Sequence, residues 1–97
     1  MKVYMFQKIK EIYYYHYCEC NTEEELFYNY EDAIKYFKEV YNLTIEEIEK
    51  NCCETRKTAS DLCEIRHYNE SQCTIFKEDD FWISLAIYEK TIMSFNK

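Results

Sequence analysis

The sequence contains no glycine and no proline. Without glycine it cannot build a Walker loop, a dinucleotide-binding fingerprint, a glycine-flanked nucleophile elbow or a regular EF-hand loop. Each of those places glycine where the backbone takes φ > 0 or lies directly against a ligand. No window approaches the ~18 apolar residues of a membrane span. The opening Met1-Lys2-Val3-Tyr4-Met5-Phe6-Gln7-Lys8 returns to charge too soon for a signal-peptide core. These two absences predict a cytoplasmic chain, and in that compartment its six cysteines (Cys18, Cys20, Cys52, Cys53, Cys63 and Cys73) are expected as reduced thiols. Positive charge is also scarce. Twelve Lys and Arg stand against nineteen Asp and Glu, for a formal charge of −7, which disfavours direct binding to a polyanion such as nucleic acid.

What remains is enough for one folded unit over residues 1–97. The hydrophobic fraction is 47% and the charged fraction 32%, a globular composition rather than a disordered one. Phe, Tyr, Met, Ile, Asn and Lys make up 46 of the 97 residues. AT-rich codons encode these types, so the bias points to a small gene of an AT-rich bacterium or one of its phages.

Period-two alternation marks residues 2–20 as two strands. Val3, Met5 and Ile9 alternate with Tyr4, Phe6 and Lys8, and then Tyr13, Tyr15 and Tyr17 alternate with Ile12, Tyr14, His16 and Cys18. Lys10-Glu11 is the expected turn between them, and Asn21 to Glu25 reads as a polar break. Tyr30, Ala33, Ile34, Phe37, Val40 and Tyr41 follow the spacing of one helical face over 30–42. Asn29 is the expected N-cap, Glu31 and Asp32 suit the positive end of the helix dipole, and Asn42 is the expected stop. Thr44-x-x-Glu47 matches a capping box and opens a second helical stretch over 44–68, with a polar middle. Cys73, Ile75, Phe81, Ile83, Leu85 and Ile87 form the core face of a closing hairpin over 73–92, turning at Glu78-Asp79-Asp80. Phe37 and Leu85 sit mid-face and are the expected core centres. The expectation is an α+β fold: an antiparallel four-stranded sheet with two helical segments packed on one face, in the order ββααββ.

Three constellations carry chemistry. Cys63-x-x-x-His67 would stand one turn apart on a helix, with Cys73 and Cys18-x-Cys20 as further ligands, but the tight pairs of a zinc site are missing and a small buried hydrophobe is the commoner fate of a thiol. No cofactor, metal or catalytic residue is assigned on this pattern, and His16, set among tyrosines on a strand, reads as a packed residue rather than a general base. Tyr13, Tyr15 and Tyr17 on one strand face form an aromatic platform, suited to a protein partner or a homodimer interface more than to bases in this acidic chain. The acidic groups are Glu23-Glu24-Glu25, then Glu46, Glu47 and Glu49, then Glu78-Asp79-Asp80. Such runs commonly serve as solvated faces. They also steer a protein to a basic partner and fill sites built for phosphate.

The stretch Glu24-Glu25-Leu26-Phe27-x-Asn29-x-Glu31-Asp32-Ala33-Ile34-x-Tyr36-Phe37, with the Lys2-Val3-Tyr4 opening and Trp82 in the closing hairpin, resembles small acidic phage and mobile-element proteins of the anti-CRISPR, anti-defence type. The resemblance covers about half the chain and carries no catalytic residue, and segment 44–72 departs from it. It implies a non-enzymatic protein-binding inhibitor acting in the host bacterial cytoplasm, whose partner is a basic nucleic-acid-handling protein of the host, with no membrane role. In that reading the acidic groups and the tyrosines named above are the partner-binding residues. The alternative is a small ligand-binding or metal-stabilised domain that uses the Cys and His residues.

Overall fold

The computed structural model describes residues 2–50, 62–78 and 80–91. Five strands and one helix are seen among them: β1 (Lys2–Tyr13), β2 (Cys18–Phe27), α1 (Tyr30–Lys50), β3 (Glu64–Asn69), β4 (Gln72–Lys77) and β5 (Phe81–Thr91). The strands form one sheet in the order β2-β1-β5-β4-β3, and every neighbouring pair is antiparallel. The α+β class is as expected. The order is ββαβββ rather than ββααββ, with five strands in place of four and one helical element among the described residues in place of two. No helix among the described residues is long and apolar enough to cross a membrane.

The helix begins where the sequence places it. Asn29 accepts from the Glu31 amide through Oδ1 at 2.8 Å, and its carbonyl accepts from the Ala33 amide at 3.2 Å, the two marks of an N-cap. It does not stop at Asn42. Thr44, only 3% exposed, donates its hydroxyl to the Val40 carbonyl at 2.7 Å, so it is a helix-interior threonine bonding back one turn and not the cap of a new helix. Glu46, Glu47 and Glu49 therefore belong to the last turns of α1. Residues 51–61 of the expected second helix, with Cys52 and Cys53, lie outside the described residues. Its last part is overturned: Glu64–Asn69 is strand, paired with β4 through Ile65↔Ile75 and Arg66↔Thr74.

The N-terminal hairpin is longer than the alternation suggests. β1 runs through Lys10-Glu11 without turning, because β5 pairs with it as far as Ile12↔Phe81. The turn falls at 14–17, and the expected break at 21–25 is strand, with Glu23 opposite Lys8, Glu24 opposite Gln7 and Glu25 opposite Phe6. The closing hairpin is as expected: β4 and β5 meet across Lys77↔Phe81, and the Asp80 amide donates to the Lys77 carbonyl at 3.0 Å.

One sheet face packs on α1. Phe6, Cys73, Ile75, Ile83 and Leu85 meet Phe37 there, all buried. Phe37 and Leu85 are each 0% exposed, as their mid-face positions predict. Phe6 stands edge-on to Phe37 and to Tyr36, with centroids at 6.1 and 5.1 Å, geometries that suit the ring quadrupoles. α1 runs alongside β1, from Tyr30 against Tyr4 at one end to Glu47 beside Lys10 at the other.

Candidate interaction site

The longest exposed aromatic run of the chain caps the β1–β2 hairpin. Tyr13↔Cys18 is the last pair of the ladder, and the Tyr14 amide donates to the Tyr17 carbonyl at 2.8 Å, closing the turn over Tyr15 and His16. Tyr13, Tyr14, Tyr15 and Tyr17 are all exposed, Tyr15 to 94%. Tyr13, Tyr15 and Tyr17 therefore do not share a strand face as expected. Only Tyr13 belongs to a strand, and the others surround a turn. His16 lies in that turn, not on a strand. Rings at the tip are arranged against one another: Tyr14 stacks on Tyr17 at 4.6 Å with a 21° interplanar angle, and Tyr15 meets His16 edge-on at 4.4 Å.

Two carboxylates hold the phenols. Tyr13 donates its hydroxyl to Glu11 at 2.7 Å, and Tyr14 donates to Glu19 at 3.2 Å. In each case that hydrogen bond, above all, lifts the phenol above its ordinary pKa, because losing the proton would set two negative charges side by side. The Tyr13 and Tyr14 phenols thus keep their protons, each with a carboxylate oxygen beside it.

The fold brings two of the three acidic groups towards this end. The Tyr13 amide donates to the Asp80 carbonyl at 2.9 Å, so the β4–β5 turn with Glu78 and Asp80 lies directly against the base of the tip. Asp79 lies outside the described residues. Asp80 is itself paired with Lys77 at 2.9 Å. Glu47, in the last turns of α1, reaches Lys10 on β1 at 3.4 Å, which sets Glu46, Glu47 and Glu49 at the same end of the sheet.

Glu23-Glu24-Glu25 stands apart. It lies midway along β2, an edge strand, and period-two geometry splits it: Glu24 shares the helix-free face with Gln7, which donates to it at 3.3 Å, while Glu23 and Glu25 take the helix face. There they lie near Tyr36. Its phenol is pushed up by burial first and then by Glu25, Glu23 and Glu39. Charged side chains on an edge strand also keep it from pairing with other chains.

Among the described residues the thiols do not converge on one site. Cys18 and Cys20 are exposed on the helix-free side of β2, whereas Cys73 is buried on the helix face of β4. Cys63 and His67 are not one helical turn apart, since Glu64–Asn69 is strand. Among the described residues no three His, Cys, Asp or Glu side chains converge as a metal site would require.

Sequence reasoning missed Tyr14, Glu11 and Glu19 as parts of the site. A signal for them was present: from residue 11 to residue 34 there is no Lys or Arg, while the stretch holds seven acidic residues and most of the exposed tyrosines. Comparison with protein-family models, curated proteins and solved structures finds no match to this chain.

Proposed function

We propose that the chain is a non-enzymatic protein-binding inhibitor whose tyrosine tip and surrounding carboxylates occupy a basic groove of a nucleic-acid-handling host protein. In a phage-encoded chain of the kind it resembles, that host protein is an immune effector. The observation that carries this reading is the union, at one end of the sheet, of four exposed tyrosines with Glu11, Glu19 and the Glu78–Asp80 turn. Tyrosine supplies a large amphipathic contact at low cost in rotamer entropy, which is why it dominates many binding surfaces. Carboxylates around it attract a positive groove and repel nucleic acid and anionic lipid surfaces.

The test is capture by tagged full-length chain from a lysate of an AT-rich bacterial host, followed by binding kinetics with the captured protein. A basic nucleic-acid-binding partner, lost when Tyr15 and Tyr17 are changed to Ser, supports the reading. Capture that ignores the tip, or a partner with no basic surface, refutes it.

A further inference from the structure

We infer that the hairpin tip is an arginine-binding anchor: the outer ring faces of the Tyr14–Tyr17 stack, with the Glu19 carboxylate beside Tyr14, take up a guanidinium from the partner protein. This rests on the protein-binding reading above and names the chemistry of the contact. The stack leaves each ring with one face turned away from the other, and Tyr14 and Tyr17 are 45% and 64% exposed. A flat aromatic face attracts a planar, weakly hydrated cation through its quadrupole. Glu19 spends one oxygen, Oε2, on the Tyr14 hydroxyl, and Glu11, on the opposite face of the hairpin, spends Oε2 on the Tyr13 hydroxyl. A carboxylate has about four lone-pair sites, so each keeps room for an N–H donor. Those same hydrogen bonds fix the phenols before any partner arrives, which lowers the ordering cost of binding.

Charge selects the class of occupant. The segment from residue 11 to residue 34 holds seven acidic residues and no Lys or Arg. A second copy of the tip would set this segment against itself, and like charges at close range oppose that. Nucleic acid and anionic bilayers are opposed for the same reason. Arginine is favoured over lysine because its guanidinium both stacks and forms paired hydrogen bonds, while an ammonium is a compact, strongly hydrated point charge.

The experiment titrates the full chain with two short labelled peptides, one alternating Arg with Ser and the other Lys with Ser, read by fluorescence anisotropy and by the tyrosine ring signals in NMR. The arginine peptide should bind about five-fold to ten-fold more tightly, and the ring signals of Tyr14 and Tyr17 should move. Changing Tyr14→Leu and Tyr17→Leu together should remove the preference. Changing Glu23→Gln and Glu25→Gln should weaken both peptides alike and keep it. If the double tyrosine variant loses its native circular dichroism, Tyr17→Leu alone, at the more exposed ring, gives the reading. Equal affinity for the two peptides overturns the inference, as does a preference that survives the tyrosine changes, or tyrosine-dependent self-association in sedimentation. Undiminished capture of a basic partner by the double tyrosine variant overturns the anchor but leaves the protein-binding function standing. An arginine preference with no basic partner captured does the reverse.

Discussion

Reversing Glu11 and Glu19 to Lys should slow partner association far more than reversing Glu23, Glu24 and Glu25, although the second change moves more charge. The register supplies the reason. Glu23 is five residues along β2 from Cys18, the last residue of the ladder before the tip. At about 3.4 Å per residue that is roughly 17 Å. Screening at physiological salt has a length of about 8 Å, so a charge at Glu23 acts on a contact at the tip with about one-eighth of its unscreened weight. Glu11 and Glu19 are hydrogen-bonded to the tip tyrosines themselves, at 2.7 and 3.2 Å. The triple reversal also carries a structural cost that the tip reversal avoids. It sets Lys against Lys8 across the β1–β2 ladder, which costs roughly 0.2–1 kcal/mol. The assay is stopped-flow association with the captured partner at several ionic strengths, with urea melts of each variant to separate fold from binding. The Glu11/Glu19 variant should lose most of its salt-dependent rate, and the triple variant should keep most of it. If the triple reversal slows association more, the contact lies on the β2 edge and not at the tip.

Three further outcomes follow from the fold. Phe37→Ala and Leu85→Ala each empty a fully buried site and should cost about 2–5 kcal/mol. That is a large share of a stability of about 5–15 kcal/mol, so an unchanged urea midpoint in either variant would show the core to be misassigned. Asn29→Ala removes the acceptor for the Glu31 amide and should cost about 1 kcal/mol; a thermal melt with an unmoved midpoint would deny the cap. Burial pushes the Cys73 thiol from 9.0 up to about 11, with Cys63 adding to the shift, so at pH 8 its thiolate population should fall about 100-fold below that of an ordinary thiol. Ellman's reagent should therefore modify Cys18 and Cys20 quickly and Cys73 only slowly, and equal rates would contradict the placement of β4. Because the folded state holds the Cys73 proton more tightly than the unfolded chain, this thiol's contribution to stability is whole below about pH 9 and is lost as the pH rises towards 11.

The parts of the fold that were legible in the sequence are those where local and tertiary preferences agree. Asn29 followed by two acidic residues and an apolar face at helical spacing can only open a helix, and it does. Cys73, Ile75, Ile83 and Leu85 alternate around an acidic turn, and all four are buried. The misses occur where long-range pairing overrides local bias. Asn21 to Glu25 has poor strand propensity, yet β1 extends beside it and supplies Lys8 and Gln7 as cross-strand partners. Asn42 and Thr44 look like a stop and a start, but burial against the sheet carries α1 through them and the Thr44 hydroxyl is satisfied from within. Glu64 to Asn69 has no clean alternation of polarity, and the heptad-like spacing of Ile45, Ile48, Cys52, Ala59 and Leu62 pointed to a helix running through it; pairing with β4 makes it strand. The tyrosines were legible as a binding feature. Their arrangement was not, because it depends on a turn five residues beyond the expected one.

That displacement of the turn is what turns a sheet-covering face into a protruding tip. The support available to the hairpin is set by β5, whose pairing with β1 ends at Ile12↔Phe81 and is followed by a single amide bond from Tyr13 to Asp80. Beyond Tyr13 no further strand pairing is seen among the described residues, so Tyr14 to Tyr17 must stabilise one another through the Tyr14–Tyr17 stack and the backbone bond beneath it. Had the chain turned at Lys10-Glu11, the tyrosines would have lain along β2, spread over both faces and separated by one strand rise. The observed register instead places four rings within one turn, beside the carboxylates of Glu11 and Glu19. The seven acidic residues between positions 11 and 34 then divide by position. Glu23, Glu24 and Glu25 blunt an open strand edge, a role any long edge strand needs filled. Glu19, on β2 itself, adds a hydrogen bond to Tyr14 to that edge role, whereas Glu11 lies on the doubly paired β1, bonded to a ring that the core does not require, and edge protection does not account for it.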